Sequence, residues 1–123
     1  MPELSEAQRR ELAALRQAFE AELPQKVTAI AGTAASLGTG PWDRSGLEGL
    51  LHLAHRLAGS SAIWGFTAVS DAASELEELI TSALERVAPP TLATDVQRLV
   101  AALQQAVEQG RGHGGSGPAA PAC

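Results

Sequence analysis

A chain of 123 residues is one domain's worth, long enough for a modest core. Its hydrophobic content of 45% is mostly Leu and Ala, which favour helix, while aromatic residues are limited to two Trp and two Phe, so an all-α domain is expected. Nine basic against fourteen acidic residues, a net charge of −5, argue against a non-specific nucleic-acid binder, which needs a basic footprint.

The single cysteine, Cys123, can form no intrachain disulfide, in keeping with a reducing compartment. The opening MPELSEAQRREL is charged where a signal peptide needs an apolar core, and no apolar run approaches a membrane span. The expected protein is soluble and cytoplasmic.

In chain order, Ser5 and Gln8 have capping-box spacing and precede the stripe Leu12, Leu15, Phe19 and Leu23. Pro24 suits the first turn of a helix better than its interior, so a lead-in helix is expected to end or kink near Leu23. A second helix from Pro24 turns Val27, Ile30, Ala31, Ala34 and Leu37 inward and stops at Gly38-Thr39-Gly40-Pro41. Asp43 and Ser45 compete to cap a third helix, whose apolar line is Leu47, Leu50, Leu51, Ala54, Leu57 and Ala58. That helix runs to about Ile63 and breaks at Gly65. A fourth begins at Phe66 with Val69, Ala73, Leu76, Ile80, Ala83 and Val87 inward, and Asp71, Glu75, Glu78 and Glu85 on a solvated face.

Pro89-Pro90 forces a turn, and Thr91 or Thr94 can cap a fifth helix with Leu92, Val96, Leu99, Leu103 and Val107 as its stripe. Gly110 is the expected stop, leaving residues 110–123 as a disordered Gly/Pro/Ala tail, with His113 in solvent, behind a domain of residues 1–109. Amphipathic helices with short connections bury their stripes against one another, which gives an antiparallel four-helix bundle with an N-terminal lead-in helix.

The third helix carries a second line beside its apolar one: Glu48, His52, His55 and Gly59. A histidine on a helix is commonly an ordinary surface or core-edge residue. Here it flanks the apolar stripe, so its ring should reach solvent, and Gly59 one turn on offers no side chain to cover it. A mid-helix glycine costs about 1 kcal/mol relative to alanine, so Gly59 implies a surface where another protein comes close. Ser60 and Ser61 can donate to an anion, and Arg56 is adjacent; a free imidazole nitrogen in such surroundings suits a nucleophile for a phosphoryl group. Glu48, His52 and His55 share a face that could present ligands to a metal, but zinc wants three or four ligands and no further His or Cys is placed to help. His52 reads better as part of a docking surface. Trp42 and Trp64 read as packing residues.

His55-Arg56-Leu57-Ala58-Gly59-Ser60-Ser61, with Gly65 ten residues after the histidine, resembles the H-x-L-K-G-[SA] signature of histidine-containing phosphotransfer (HPt) domains. The similarity extends through Phe19 to Pro24, Trp42-Asp43 and Ser74-Glu75-Leu76-Glu77, over roughly residues 10 to 107 in pattern, though a dozen residues carry it. The resemblance implies a four-helix bundle in which His55 is the phosphoacceptor and Gly59 the clearance position. The phosphoryl group would come from an aspartate on a receiver domain, or from a sensor kinase, and pass to another receiver. The partner would be a response regulator or hybrid histidine kinase. Mg²⁺ would sit on the receiver, with no cofactor of the chain's own, and the chain would work as a monomer.

One departure stands out: the signature's lysine is Ala58 here. Arg56 points about 160° away around the helix and substitutes imperfectly. There is no G-x-x-x-x-G-K loop and no Gly-rich kinase motif, so autonomous phosphorylation from ATP is not expected. The competing reading is a helical adaptor that binds a signalling partner through the same surface without carrying phosphate.

Overall fold

The computed structural model describes residues 3–38, 42–86 and 88–116. It contains four helices: α1 (Glu6–Leu37), α2 (Arg44–Ile63), α3 (Thr67–Glu85) and α4 (Leu92–Ser116). Each packs against its two neighbours in a closed ring, α1 against α2 and α4, and α3 against α2 and α4. The expected all-α four-helix bundle is the architecture observed.

The lead-in helix is not separate. α1 continues through Pro24, and the capping box of Ser5 and Gln8 starts it, with bonds of 3.1 and 2.8 Å. Proline removes one backbone donor, a cost of about 3 kcal/mol in an isolated helix. The buried line Phe19, Leu23, Val27, Ile30 and Ala34 keeps helical spacing across it, so packing on both sides holds the helix together. Leu12 and Leu15, expected in that line, are exposed. They lie in the part of α1 that precedes its first core residue, Phe19.

Asp43 caps α2, accepting from the Gly46 amide at 2.8 Å. α2 ends at Ile63, and the turn to α3 needs the left-handed backbone of Gly65, φ +82°. The Phe66 amide donates back to the Ser61 carbonyl at 2.8 Å and closes this turn. Arg16 holds the turn from outside: its Nε donates to the Trp64 carbonyl at 3.0 Å, and its guanidinium carbon lies 4.3 Å from the centre of the Phe66 ring.

The core comprises the expected residues of α2 and α3, with Leu51 half-buried instead of buried. In α4 it adds Val100 and Ala106 to Leu92, Val96, Leu103 and Val107, while Leu99 is partly buried. Val87, the loop 39–41 and residues 117–123 of the expected tail lie outside the described residues. Gly110 does not end α4, which runs on to Ser116. Glycine weakens a helix without removing a backbone donor, and no proline interrupts this segment before Pro118.

Candidate functional site

The site lies midway along α2, on the edge facing α3. The His55 side chain is 69% exposed, and its Nδ1 lies 2.7 Å from Glu77 Oε2 on α3. An ionised carboxylate only accepts hydrogen bonds, so it selects the tautomer or charge state with a proton on Nδ1. In the neutral ring, Nε2 then carries the lone pair, and no described residue hydrogen-bonds to it.

Helical periodicity does not single out Glu77; it marks only Glu75 and Glu78 beside it, as solvated. The signal that finds Glu77 is antiparallel pairing. Glu77 lies 22 residues after His55 and is as far beyond Phe66, at the hairpin's turn, as His55 is before it. The same pairing brings the Ser70 hydroxyl to the Ala58 carbonyl, donated over 2.9 Å. Ala58 itself is buried against this seam. The position where the signature has a lysine is therefore filled by a small core side chain, and Glu77 is left to His55.

Gly59 is exposed, and a Cβ built on it would meet nothing within 4 Å. Among the described residues no close packing requires the glycine. Gly46 is the contrast: a Cβ there would collide with the Leu37 side chain and lie 2.9 Å from Asp43 Oδ1. Ile63, one turn beyond Gly59 on the same exposed line, is 77% exposed. His52 is also exposed on that line.

The remaining predicted residues do not converge on His55. Arg56 and Ser60 line a groove of about 190 Å³ between α1 and α2, with Lys26, Leu53 and Leu57, on the other flank of the helix. Ser61 points into the core: it is fully buried and its Oγ has no partner among the described residues, so it cannot meet an anion beside His55. A five-residue step carries Ser60 about 140° round the helix from His55, and six residues carry Ser61 about 120° round in the other direction. Glu48 is paired with Arg44 at 3.1 Å. Among the described residues no group of three or more His, Cys, Asp or Glu is placed to hold a metal ion. Asp71, Glu75, Glu78 and Glu85 are exposed, as the helical pattern of α3 requires. No helix among the described residues is long and apolar enough to cross a membrane.

The site is thus an exposed, carboxylate-tethered histidine beside an uncovered glycine on a ring of four helices. A family model described as the Hpt domain matches residues 4–109. The chain belongs to the Hpt domain family, whose general role is histidine phosphotransfer in two-component phosphorelays. Comparison with curated proteins and with solved structures returned no match.

Proposed function

We propose that His55 is the phosphoacceptor of this domain, taking a phosphoryl group from a receiver-domain aspartate, or from a sensor kinase, and passing it to a second receiver in the cytoplasm. The observation that carries this is the ring itself: Nδ1 is engaged at 2.7 Å by Glu77 while the side chain remains 69% exposed. In the forward step the Nε2 lone pair attacks phosphorus and the bond from phosphorus to the aspartyl oxygen breaks, its electron pair leaving on the carboxylate. Most of the catalysis is positioning and charge neutralisation. The receiver supplies Mg²⁺ and a lysine, which matters more here because Ala58 brings no cation.

The partner docks over the exposed line of α2. Gly59 admits its backbone close to His55, His52 borders the contact, and Ile63 offers apolar area that is otherwise left in water. Arg56 and Ser60 lie round the flank, where they meet the edge of the docked domain. The chain acts as a monomer in this scheme, and it transfers phosphate without making it from ATP.

The test is incubation with a phosphorylated receiver, following acid-labile phosphate on this chain. Label is expected on the wild type and none on His55→Gln. A His55→Gln protein that still takes label overturns the assignment, and receiver binding with no label on the wild type would instead establish an adaptor.

A further inference from the structure

The two flanks of α2 carry opposite charge. Toward α3 lie Glu77, which meets His55, and the exposed Glu78 and Glu85. Toward α1 lies the groove of about 190 Å³, lined by Lys26 from α1 and by Arg56 and Ser60 from α2. Lys26 is the single lysine of a chain whose net charge is −5. It pairs with Glu22 at 3.6 Å, but that contact is exposed on both sides and holds the ammonium weakly. Arg56 is exposed, and among the described residues it makes no ion pair or hydrogen bond.

The floor of the groove is apolar: Ile30 and Leu57 are buried and Leu53 is half-buried. Small-molecule sites span about 300–1,000 Å³, so this groove has room for a side chain or two and not for a cofactor. A cationic rim over an aliphatic floor suits a carboxylate set next to an aliphatic side chain, and it disfavours a basic one. The groove is also within reach of whatever docks on His55. Around α2 from His55, Gly59 lies at about 40°, Arg56 at about 100° and Ser60 at about 140°. On a helix about 10–12 Å across that is an arc of about 10–15 Å. A standard interface covers about 800 Å² on each partner, a patch about 30 Å wide, and spans both places.

We infer that the receiver domain docks at His55 with an acidic residue, and an aliphatic one beside it, in the groove between α1 and α2. Lys26 and Arg56 thereby fix which way round the receiver sits. The acidic α3 flank repels the reversed arrangement, so attraction on one side and repulsion on the other select one orientation. Lys26 and Arg56 are docking residues in this account and take no part in bond making at His55. The inference rests on the reading that a receiver meets His55, and the experiment separates the two.

The phosphorylated receiver that labels His55 is used, and its KM and kcat are measured separately at low salt and in about 1 M salt, with each variant checked for helix content. Arg56→Glu combined with Lys26→Gln should raise KM about three- to thirtyfold at low salt, the range that two exposed charge contacts support. The effect should fall on KM more than on kcat. In about 1 M salt, where charges are screened beyond about 3 Å, the difference should shrink to about twofold or less. Ala29→Phe, an exposed change on α1 that fills the groove, should raise KM in both salts.

The single lysine gives a second readout, through a carbodiimide that joins an amine directly to a carboxylate. It should link Lys26 to an Asp or Glu of the receiver, identified by mass spectrometry, and the link should be lost in about 1 M salt. A wild-type KM in the charge variant, or a receiver cross-linked only elsewhere on the chain, overturns the inference and leaves His55 as phosphoacceptor. If no receiver labels His55, the functional reading fails and this inference falls with it.

Discussion

Arg16 and Phe66 join the first helix to the turn that positions the site. The guanidinium carbon stands 4.3 Å from the ring centre while Nε donates to the neighbouring Trp64 carbonyl. A contact of this kind at a partly exposed site contributes about 0.5–1 kcal/mol, and a hydrogen bond from a charged group about 1.5–3 kcal/mol. Arg16→Ala should therefore lower unfolding stability by about 1–2 kcal/mol once exposure is allowed for, with an unchanged slope against urea. A loss below about 0.3 kcal/mol would show that the clamp is incidental.

Gly59 and Gly46 should respond to alanine with opposite signs. Gly59→Ala meets open space and gains about 0.5–1 kcal/mol from helix propensity. Gly46→Ala collides with Leu37 and crowds the Asp43 cap, and should lose about 1–3 kcal/mol. Chemical denaturation checks both. Gly59→Leu should fold normally yet slow transfer from a receiver by about a hundredfold, because it holds the partner away from His55. Unimpaired transfer in Gly59→Leu would refute the clearance role.

Ser61 presents a hydroxyl to the core without a partner among the described residues. An unsatisfied buried hydroxyl costs about 1–3 kcal/mol, so Ser61→Ala should raise stability by about 1 kcal/mol. Its backbone bond to Phe66 survives the change. Transfer through His55 should be unaltered, since the side chain faces away from the ring. A fall in transfer with folding intact would return Ser61 to the site.

Asp95, in the first turn of α4, accepts from Arg98 at 3.1 Å and from the Thr91 hydroxyl at 3.0 Å. The Arg98 hydrogen bond, with that of Thr91 second, holds its carboxyl below the usual carboxylate value. A group whose pKa is depressed by folding adds stability above its unfolded pKa, and that stability is lost as pH falls through the folded value. Wild type should thus melt above Asp95→Asn at pH 6, and the gap should close on acidification below about pH 4. Melting curves that remain parallel down to pH 2 would count against this linkage.

Much of the bundle is legible in the chain because helical period alone assigns residues to faces. The apolar stripes of α2 and α3, the break at Gly65, and the exposed position of His55 beside Gly59 all follow from local spacing and glycine chemistry. The same period, followed five and six residues on, also carries Ser60 and Ser61 off the face of His55. What covers those faces was decided by packing: Ser60 borders the groove against α1, and Ser61 is buried in the core.

By itself the sequence determined four amphipathic faces, their turns, and the histidine standing beside one of them. Tertiary packing alone decided that α1 would pass unbroken through Pro24, since burial of Leu23 and Val27 on either side outweighs one missing donor. It also decided that Glu77 would meet His55. Periodicity describes one helix at a time, whereas a contact between two helices depends on how the turn at Gly65 registers them. That register put a carboxylate 2.7 Å from Nδ1 of the exposed histidine.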